Sequence, residues 1–535
     1  MPPAIRLHTF GVESQAKSSS QTACNQGDPV GTLLAKREQN KTRGFRIMSR
    51  KNVAATGIVG LDHILMGGFP RGRIYLIQGD PGVGKTTLGL QFLLEGVREG
   101  EAVLYVTLSE SADELHEVAR SHSWSLDNVP VYEQLIGEEA LQEEEETVFY
   151  PAEIELGETI KGILTEVDRI KPTRVVIDSL SEIRLLAQSG LRYRKQILAL
   201  KQFFARRSTT VLFLDDRTSE IQDIQLQSVP HGVVELQRYT PMYGTARRRL
   251  QLVKIRGLNF KDGYHDFNIL TGGIVVYPRL IAADHRVFVQ HEQIPSGLAP
   301  LDEMLGGGLD RGTSTVIMGP AGAGKSALST QYAVAAAKRG EKAALFIFEE
   351  TISTLMHRSS SLGFPLEKFV EQGLITITPI DPAQLQPGEF AHLVRSAVEE
   401  DGIRLLVIDS LNGFLNAVPE ERFLLLHLHE LLNYLGQHGV ATVLVFAQHG
   451  LIGTMQSTVD VSYLADCVIL LRYFENQGKI HKAISIMKKR SGPHETAIRS
   501  YSMDPEGLHI GEALERFHGV LTGVPTLGRL SEAAG

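Results

Sequence analysis

Gly79-Asp80-Pro81-Gly82-Val83-Gly84-Lys85-Thr86 and, far downstream, Gly319-Pro320-Ala321-Gly322-Ala323-Gly324-Lys325-Ser326 both satisfy the spacing G-x-x-x-x-G-K-[ST]. Each follows a short apolar run, Ile74 to Ile77 or Thr315 to Met318, and leads through Thr87 or Ala327 into a helix-like segment. The residue types have a physical reason. Glycines let backbone N–H groups wrap phosphates with no Cβ in the way, the N-terminus of the following helix favours negative charge, and the lysine reaches the β and γ oxygens. Thr86 and Ser326 offer the hydroxyl that a phosphate-bound Mg²⁺ takes as a ligand. A strand, a glycine-rich loop and a helix, met twice, predict an α/β fold.

Outward from the loops the similarity continues. Thr56-Gly57-Ile58-Val59-Gly60-Leu61-Asp62 with Leu65 to Gly72 returns as Ser296-Gly297-Leu298-Ala299-Pro300-Leu301-Asp302 with Leu305 to Gly312. Asp62 and Asp302, Lys85 and Lys325, and Glu110 and Glu350 each stand 240 positions apart. So long a period signals a duplicated domain rather than a solenoid. In each half, Val/Ile/Leu-rich runs alternate with amphipathic stretches: Ala102 to Leu108, Arg174 to Ile177 and Thr210 to Leu214, then Lys342 to Phe348, Leu405 to Ile408 and Ala441 to Phe446. Apolar strands separated by helices predict mostly parallel sheets with helices on both faces. The expected division is a leader over 1–50, one domain over 51–280, a linker over 281–294, a second domain over 295–526 and a tail over 527–535.

Two carboxylate positions recur. Asp178 and Asp409 each end an apolar strand, where a P-loop enzyme places the acid that holds Mg²⁺ beside the phosphates. Capping of the next helix is the structural alternative. Glu110, in Leu108-Ser109-Glu110-Ser111, and Glu349 with Glu350, in Phe348-Glu349-Glu350-Thr351, follow the strand after each loop helix. They are the candidate general bases for activating an attacking oxygen. Ser109 stands where the second half has Glu349, so the two sites are not expected to be chemically equivalent.

Composition bounds the rest. A chain of 535 residues, 43% hydrophobic and 22% charged, buries a substantial core in two or three domains. The two cysteines, Cys24 and Cys467, supply neither a disulfide framework nor a thiolate metal site. With neither a secretory signal nor a long apolar run, the expected location is cytoplasmic. A net charge of −8 argues against a surface built to grip nucleic acid, the run Arg247-Arg248-Arg249 being the strongest contrary feature. Residues 1–47, rich in Ser, Gln, Lys and Arg, read as disordered, and Glu138 to Glu146 as an acidic insertion.

From residue 52 to about 526 the chain resembles the KaiC family of RecA-superfamily ATPases. The resemblance is carried by the duplicated G-[IL]-x-x-L-D opening, both loops, Glu349-Glu350, the [IV]-D-S strand ends, and the run from Ile469-Leu470-Leu471-Arg472-Tyr473 through Lys488-Lys489-Arg490. It implies two tandem RecA-like domains and a double-ring homohexamer with ATP and Mg²⁺ between adjacent subunits. It further implies that Lys254 and Arg256, like Lys488 and Arg490, reach the γ-phosphate of a neighbouring subunit. The second half of such proteins is also an autokinase: alignment on Asp466 puts Ser462 at one acceptor position and Tyr463 where the family has Thr. Glu349 and Glu350 would then activate either water or the Ser462 hydroxyl, and Ser462 is read equally well as an ordinary capping serine. Gly519 to Thr526 resembles the family's terminal regulatory loop. Signalling proteins are the expected partners, with a DNA-dependent ATPase as the alternative reading.

Overall fold

The computed structural model describes residues 52–134, 151–216, 227–241, 244–282, 292–416, 421–448, 461–522 and 526–527. Residues 1–47, the Glu138 to Glu146 stretch, most of the expected linker and most of the expected tail lie outside them.

Two nine-stranded sheets of identical strand order dominate the chain. In the first half, β1 (Ile74–Gly79) is followed by helix α1 (Lys85–Arg98), β2 (Val103–Thr107), α2 (Ala112–Ser121), β3 (Val131–Glu133), α3 (Pro151–Ile170) and β4 (Arg174–Asp178). Helices α4 (Leu180–Ala187) and α5 (Gly190–Arg207) lead to β5 (Thr210–Asp216), then β6 (Gly232–Tyr239), β7 (Arg247–Ile255), β8 (Tyr264–Leu270) and β9 (Gly273–Tyr277). The spatial order is β3-β2-β4-β5-β1-β6-β7-β8-β9. The pairs from β3 to β6 are parallel, and β7, β8 and β9 extend the sheet antiparallel.

The second half repeats the plan. It runs β10 (Ser314–Gly319), α6 (Lys325–Lys338), β11 (Ala343–Ile347), α7 (Ile352–Ser361), β12 (Ile375–Pro379), α8 (Pro387–Glu399), β13 (Leu405–Asp409), α9 (Glu421–Gln437), β14 (Ala441–Ala447), and β15 to β18 (Cys467–Asn476, Lys479–Lys489, Arg499–Asp504, Gly507–Ala513). The central parallel strands are buried on both faces, so both side-chain sets must be apolar. On one face of the first sheet Tyr75 and Ile77 pack with Leu88 and Phe92 of α1 and Leu115 of α2. On the other, Ile74 and Leu76 pack with Ile163 of α3, Ile183 of α4 and Phe204 of α5. The second sheet is covered likewise by α6 and α7 on one side and by α8 and α9 on the other. The fold is thus two tandem RecA-like α/β domains, as the strand and loop pattern predicts. The predicted strands reappear within a residue or two, and the last four strands of each half were visible in the sequence only in part.

The repeated opening motif is scaffold. Asp62 Oδ1 accepts the Thr56 N–H at 2.8 Å and Asp302 Oδ1 accepts that of Ser296 at 2.7 Å, fixing the turn before each short first helix. Burial raises the Asp62 carboxyl from 3.8 to about 6, against the opposing pull of the Thr56 hydrogen bonds. The folded state therefore binds a proton more readily than the unfolded chain. Its contribution to stability is fully present below about pH 3.8 and is lost as pH rises through about 6. Asp62→Asn keeps the acceptor oxygen and removes the titration. Thermal melting of the variant, compared with the parent, is expected to lack a loss on the order of 2 kcal/mol between pH 4 and 6.

The two halves meet along a polar seam. Asp266 Oδ2 on β8 accepts the Gly388 N–H in the first turn of α8 at 2.8 Å, Asn268 donates to Glu389 at 2.9 Å, and the Tyr277 hydroxyl donates to the other Glu389 oxygen at 3.2 Å. A carboxylate facing a helix N-terminus is favoured by the unpaired amides and the dipole there.

Candidate functional site

Both glycine-rich loops lie between the central strand of their sheet, β1 or β10, and the helix behind it. Gly84 and Gly324 cap α1 and α6 at φ 112° and 106°, a region closed to residues with a Cβ. A Cβ on Gly79 would sit 2.6 Å from the Leu236 carbonyl oxygen of β6. Glycine there lets two strands close up, a reason distinct from room for phosphate.

In the first half the lysine, hydroxyl and acid converge. Lys85 Nζ donates to the carbonyls of Gly79 at 2.9 Å and Asp80 at 3.0 Å, while the Thr86 hydroxyl donates to Asp178 Oδ2 at 2.8 Å. The Tyr105 hydroxyl, wholly buried in β2, donates to the same carboxylate oxygen at 2.7 Å. Burial pushes the Asp178 carboxyl up; its two hydroxyl donors and Lys85 oppose the shift. Glu110 is placed at the sheet edge by local chemistry: its N–H donates to Thr107 Oγ1 at 3.1 Å, and the next residue, Ser111, caps α2 by accepting the Glu114 N–H at 3.3 Å. Burial and then the neighbouring Asp178 raise its carboxyl above the usual range, and its Oε2 is buried without a hydrogen-bond partner. Such a group favours taking up a proton, as a general base must.

The second half assembles the equivalent set with different neighbours. Lys325 Nζ donates to Pro320 O at 2.7 Å, and burial lowers its basicity while Asp409 and Glu349 pull it back up. Burial raises Asp409, opposed by the Ser326 hydroxyl and by Arg358. Glu349 is exposed, whereas Glu350 is held by Arg358 through both oxygens, at 2.8 and 2.7 Å. The position matching Arg358 in the first half is Val118, and Leu345 stands where Tyr105 stood. The asymmetry signalled by Ser109 against Glu349 therefore extends to groups that touch the acids. In both halves the peptide after the strand-end acid, Asp178–Ser179 or Asp409–Ser410, is cis.

The donors suit Mg²⁺. One hydroxyl and one carboxylate at hydrogen-bond distance are hard oxygen ligands, and Mg²⁺ in nucleotide sites takes one or two such groups, with phosphates and water filling the rest. Among the described residues there is no cluster of three or more His, Cys, Asp or Glu able to cage a metal alone.

The four paired cations are not gathered at these loops. Lys254 donates to the Gln227 carbonyl and Arg256 to that of Ser228 at 2.9 Å, in the segment leading into β6. Lys488 donates to the Ser462 and Ala465 carbonyls at 2.9 and 2.7 Å, and Arg490 to that of Tyr463 at 2.9 Å, in the segment leading into β15. The intervening Lys489 is structural, bound to Leu305 O, Gly308 O and Asp310. The Ser462 carbonyl is thus held by Lys488 and the Tyr463 carbonyl by Arg490, and the Tyr463 side chain is half exposed. Of the Arg247 to Arg249 run, Arg247 is buried and Arg249 stacks on Tyr264, 4.1 Å from the ring centre.

Sequence reading missed Tyr105, Arg358 and Asp216, which ion-pairs with Lys85. Tyr105 lies inside a run read as packing, Arg358 stands eight residues past the glutamate it holds, inside α7, and Asp216 falls two residues beyond the predicted end of β5. Among the described residues no helix is long and apolar enough to cross a membrane.

The family model for the KaiC ATPase matches this chain twice, over residues 54–281 and 294–515. The circadian clock protein KaiC3 of Synechocystis is 26% identical over 482 residues, 89% of this chain and 95% of the relative. The circadian clock oscillator protein KaiC of Acaryochloris marina is 27% identical over 514 residues, covering 93% and 94%. That of Synechococcus elongatus is 27% identical over 480 residues, covering 88% and 91%.

Proposed function

This chain belongs to the KaiC ATPase family, and on that premise we propose that it forms a double-ring homohexamer hydrolysing Mg²⁺-bound ATP at the interfaces between protomers, as a signalling or clock-type switch. One observation carries the reading: in both halves the loop lysine, the loop hydroxyl and a strand-end acid occupy one spot beside a sheet-edge glutamate, while the cations needed to complete it lie elsewhere on the chain. Lys85 and Lys325 would hold the phosphates, with Thr86, Asp178, Ser326 and Asp409 as Mg²⁺ ligands. When bound, Mg²⁺ neutralises charge on the phosphates. Glu110 orients and deprotonates the attacking water in the first ring. In the second ring Glu349 is the free carboxylate, and Glu350 acts once Arg358 releases it. Lys254, Arg256, Lys488 and Arg490 are delivered to the neighbouring subunit's γ-phosphate.

The second ring would also transfer phosphate to Ser462. Its carbonyl is gripped by Lys488, so the acceptor segment moves with the interface cation. Incubation with Mg²⁺ and ATP is expected to raise the assembly mass to six protomers and to place phosphate on the peptide containing Ser462. A hexamer hydrolysing ATP with Ser462 unmodified would leave an ATPase that is no kinase; a protein monomeric in saturating ATP with full turnover would overturn the interface mechanism. The buried Arg247 favours this reading over a DNA-dependent ATPase, whose mark would be hydrolysis stimulated by single-stranded DNA in a salt-sensitive manner.

A further inference from the structure

The strand beside each loop ends differently in the two halves. Register sets Asp216 of β5 opposite Gly79, the first residue of the first loop, and sets Ala447 of β14 opposite Gly319 of the second. Asp216 Oδ1 meets Lys85 Nζ at 2.5 Å, and the Lys85 side chain is only 7% exposed. Counting the Gly79 and Asp80 carbonyls, the three protons of the ammonium all have acceptors. The acid is held in place: Arg184 clamps both oxygens of the preceding Asp215 at 2.8 Å, and Gln78 donates to Asp215 at 3.3 Å. The Asp216 N–H also donates to Ser181 Oγ at 3.4 Å. Lys325, by contrast, makes no ion pair among the described residues; it donates to Pro320 O.

We infer that Asp216 is a built-in competitor for the first loop: its carboxylate occupies on Lys85 the place a nucleotide phosphate must take, so the first half loads nucleotide less readily than the second. The inference rests on the reading that both loops bind Mg²⁺-bound ATP. A phosphate reaching Lys85 has to displace a carboxylate already paired in a poorly hydrated site, and the displaced charge stays next to the incoming one. The apparent affinity falls by the fraction of molecules in which Lys85 is engaged. Where the strand ends in Ala447, neither cost exists.

The test uses the full chain and a fluorescent ATP analogue with Mg²⁺. In a Lys325→Ala background, which leaves the first loop as the binding site, Asp216→Asn is expected to tighten binding about tenfold. In a Lys85→Ala background, Ala447→Asp is expected to weaken binding at the second loop by a similar factor. The second arm keeps the idea falsifiable should Asp216→Asn fail to fold, which its melting temperature would reveal. Unchanged affinity in both arms would overturn the inference. Weaker binding by Asp216→Asn would also overturn it, making the acid a helper in holding Mg²⁺. Binding that persists when Lys85 and Lys325 are both alanine would instead overturn the ATP reading beneath it.

Discussion

Phosphate release from ATP is expected to fall to background in the double variant Lys85→Ala, Lys325→Ala, and nucleotide binding to fall with it. Each lysine is the principal charge-bearing donor of its loop. Charge-assisted hydrogen bonds of this kind contribute about 1.5 to 3 kcal/mol each. Losing two of them per site costs about 3 to 6 kcal/mol, roughly 10²- to 10⁴-fold in affinity. The single variants should each silence one half and leave the other, so their residual rates give each ring's share of turnover. Both side chains are buried, and the Lys325 ammonium is held at a desolvation cost. Alanine removes that cost, so circular dichroism is expected to show the fold intact. A double variant that still releases phosphate at the parental rate would remove the loops from the chemistry altogether.

The second large effect concerns the cations of the interface. Arg490→Ala in the Lys85→Ala background is expected to lower hydrolysis by about 10³-fold while the second loop still binds nucleotide, because a cation of this kind acts on charge developing on the transferred group. Arg256→Ala in the Lys325→Ala background should do the same for the first ring. Mixing gives the decisive measurement. In the Lys85→Ala background, Lys325→Ala protomers have a dead second loop but an intact Arg490; Arg490→Ala protomers have the reverse. Neither turns over alone, and mixed rings should regain activity. Mixtures that stay silent would mean that Arg490 serves its own subunit, or that its hold on the Tyr463 carbonyl matters only for folding.

Much of this organisation was legible before any coordinates. The loops are legible because phosphate binding constrains residue type at fixed spacing, and the central strands because burial on both faces forces unbroken apolar runs. The duplication made Asp178 and Asp409, or Glu110 and Glu350, stand out from ordinary surface acids. What escaped was long-range pairing. Nothing in the run Ala102 to Leu108 says that the Tyr105 hydroxyl faces Asp178 across neighbouring strands, and nothing near Glu350 says that Arg358 will fold back onto it. The cations were legible only through the family resemblance, since Lys254 or Lys488 by itself is an ordinary basic residue on a half-exposed strand.

The grip of Asp266 on the first turn of α8 has a mechanical meaning. Strand β8, which carries that acid, is laced to β7, which carries Lys254 and runs straight into Arg256. The end of the first sheet thus reaches the second half through several contacts with α8, Asp266 to Gly388 and Asn268 and Tyr277 to Glu389, and α8 packs in one core with Phe346 and Phe414. The two halves are geared to each other within one chain, so under the proposed interface mechanism a pull on Lys254 in the first half would be registered in the second.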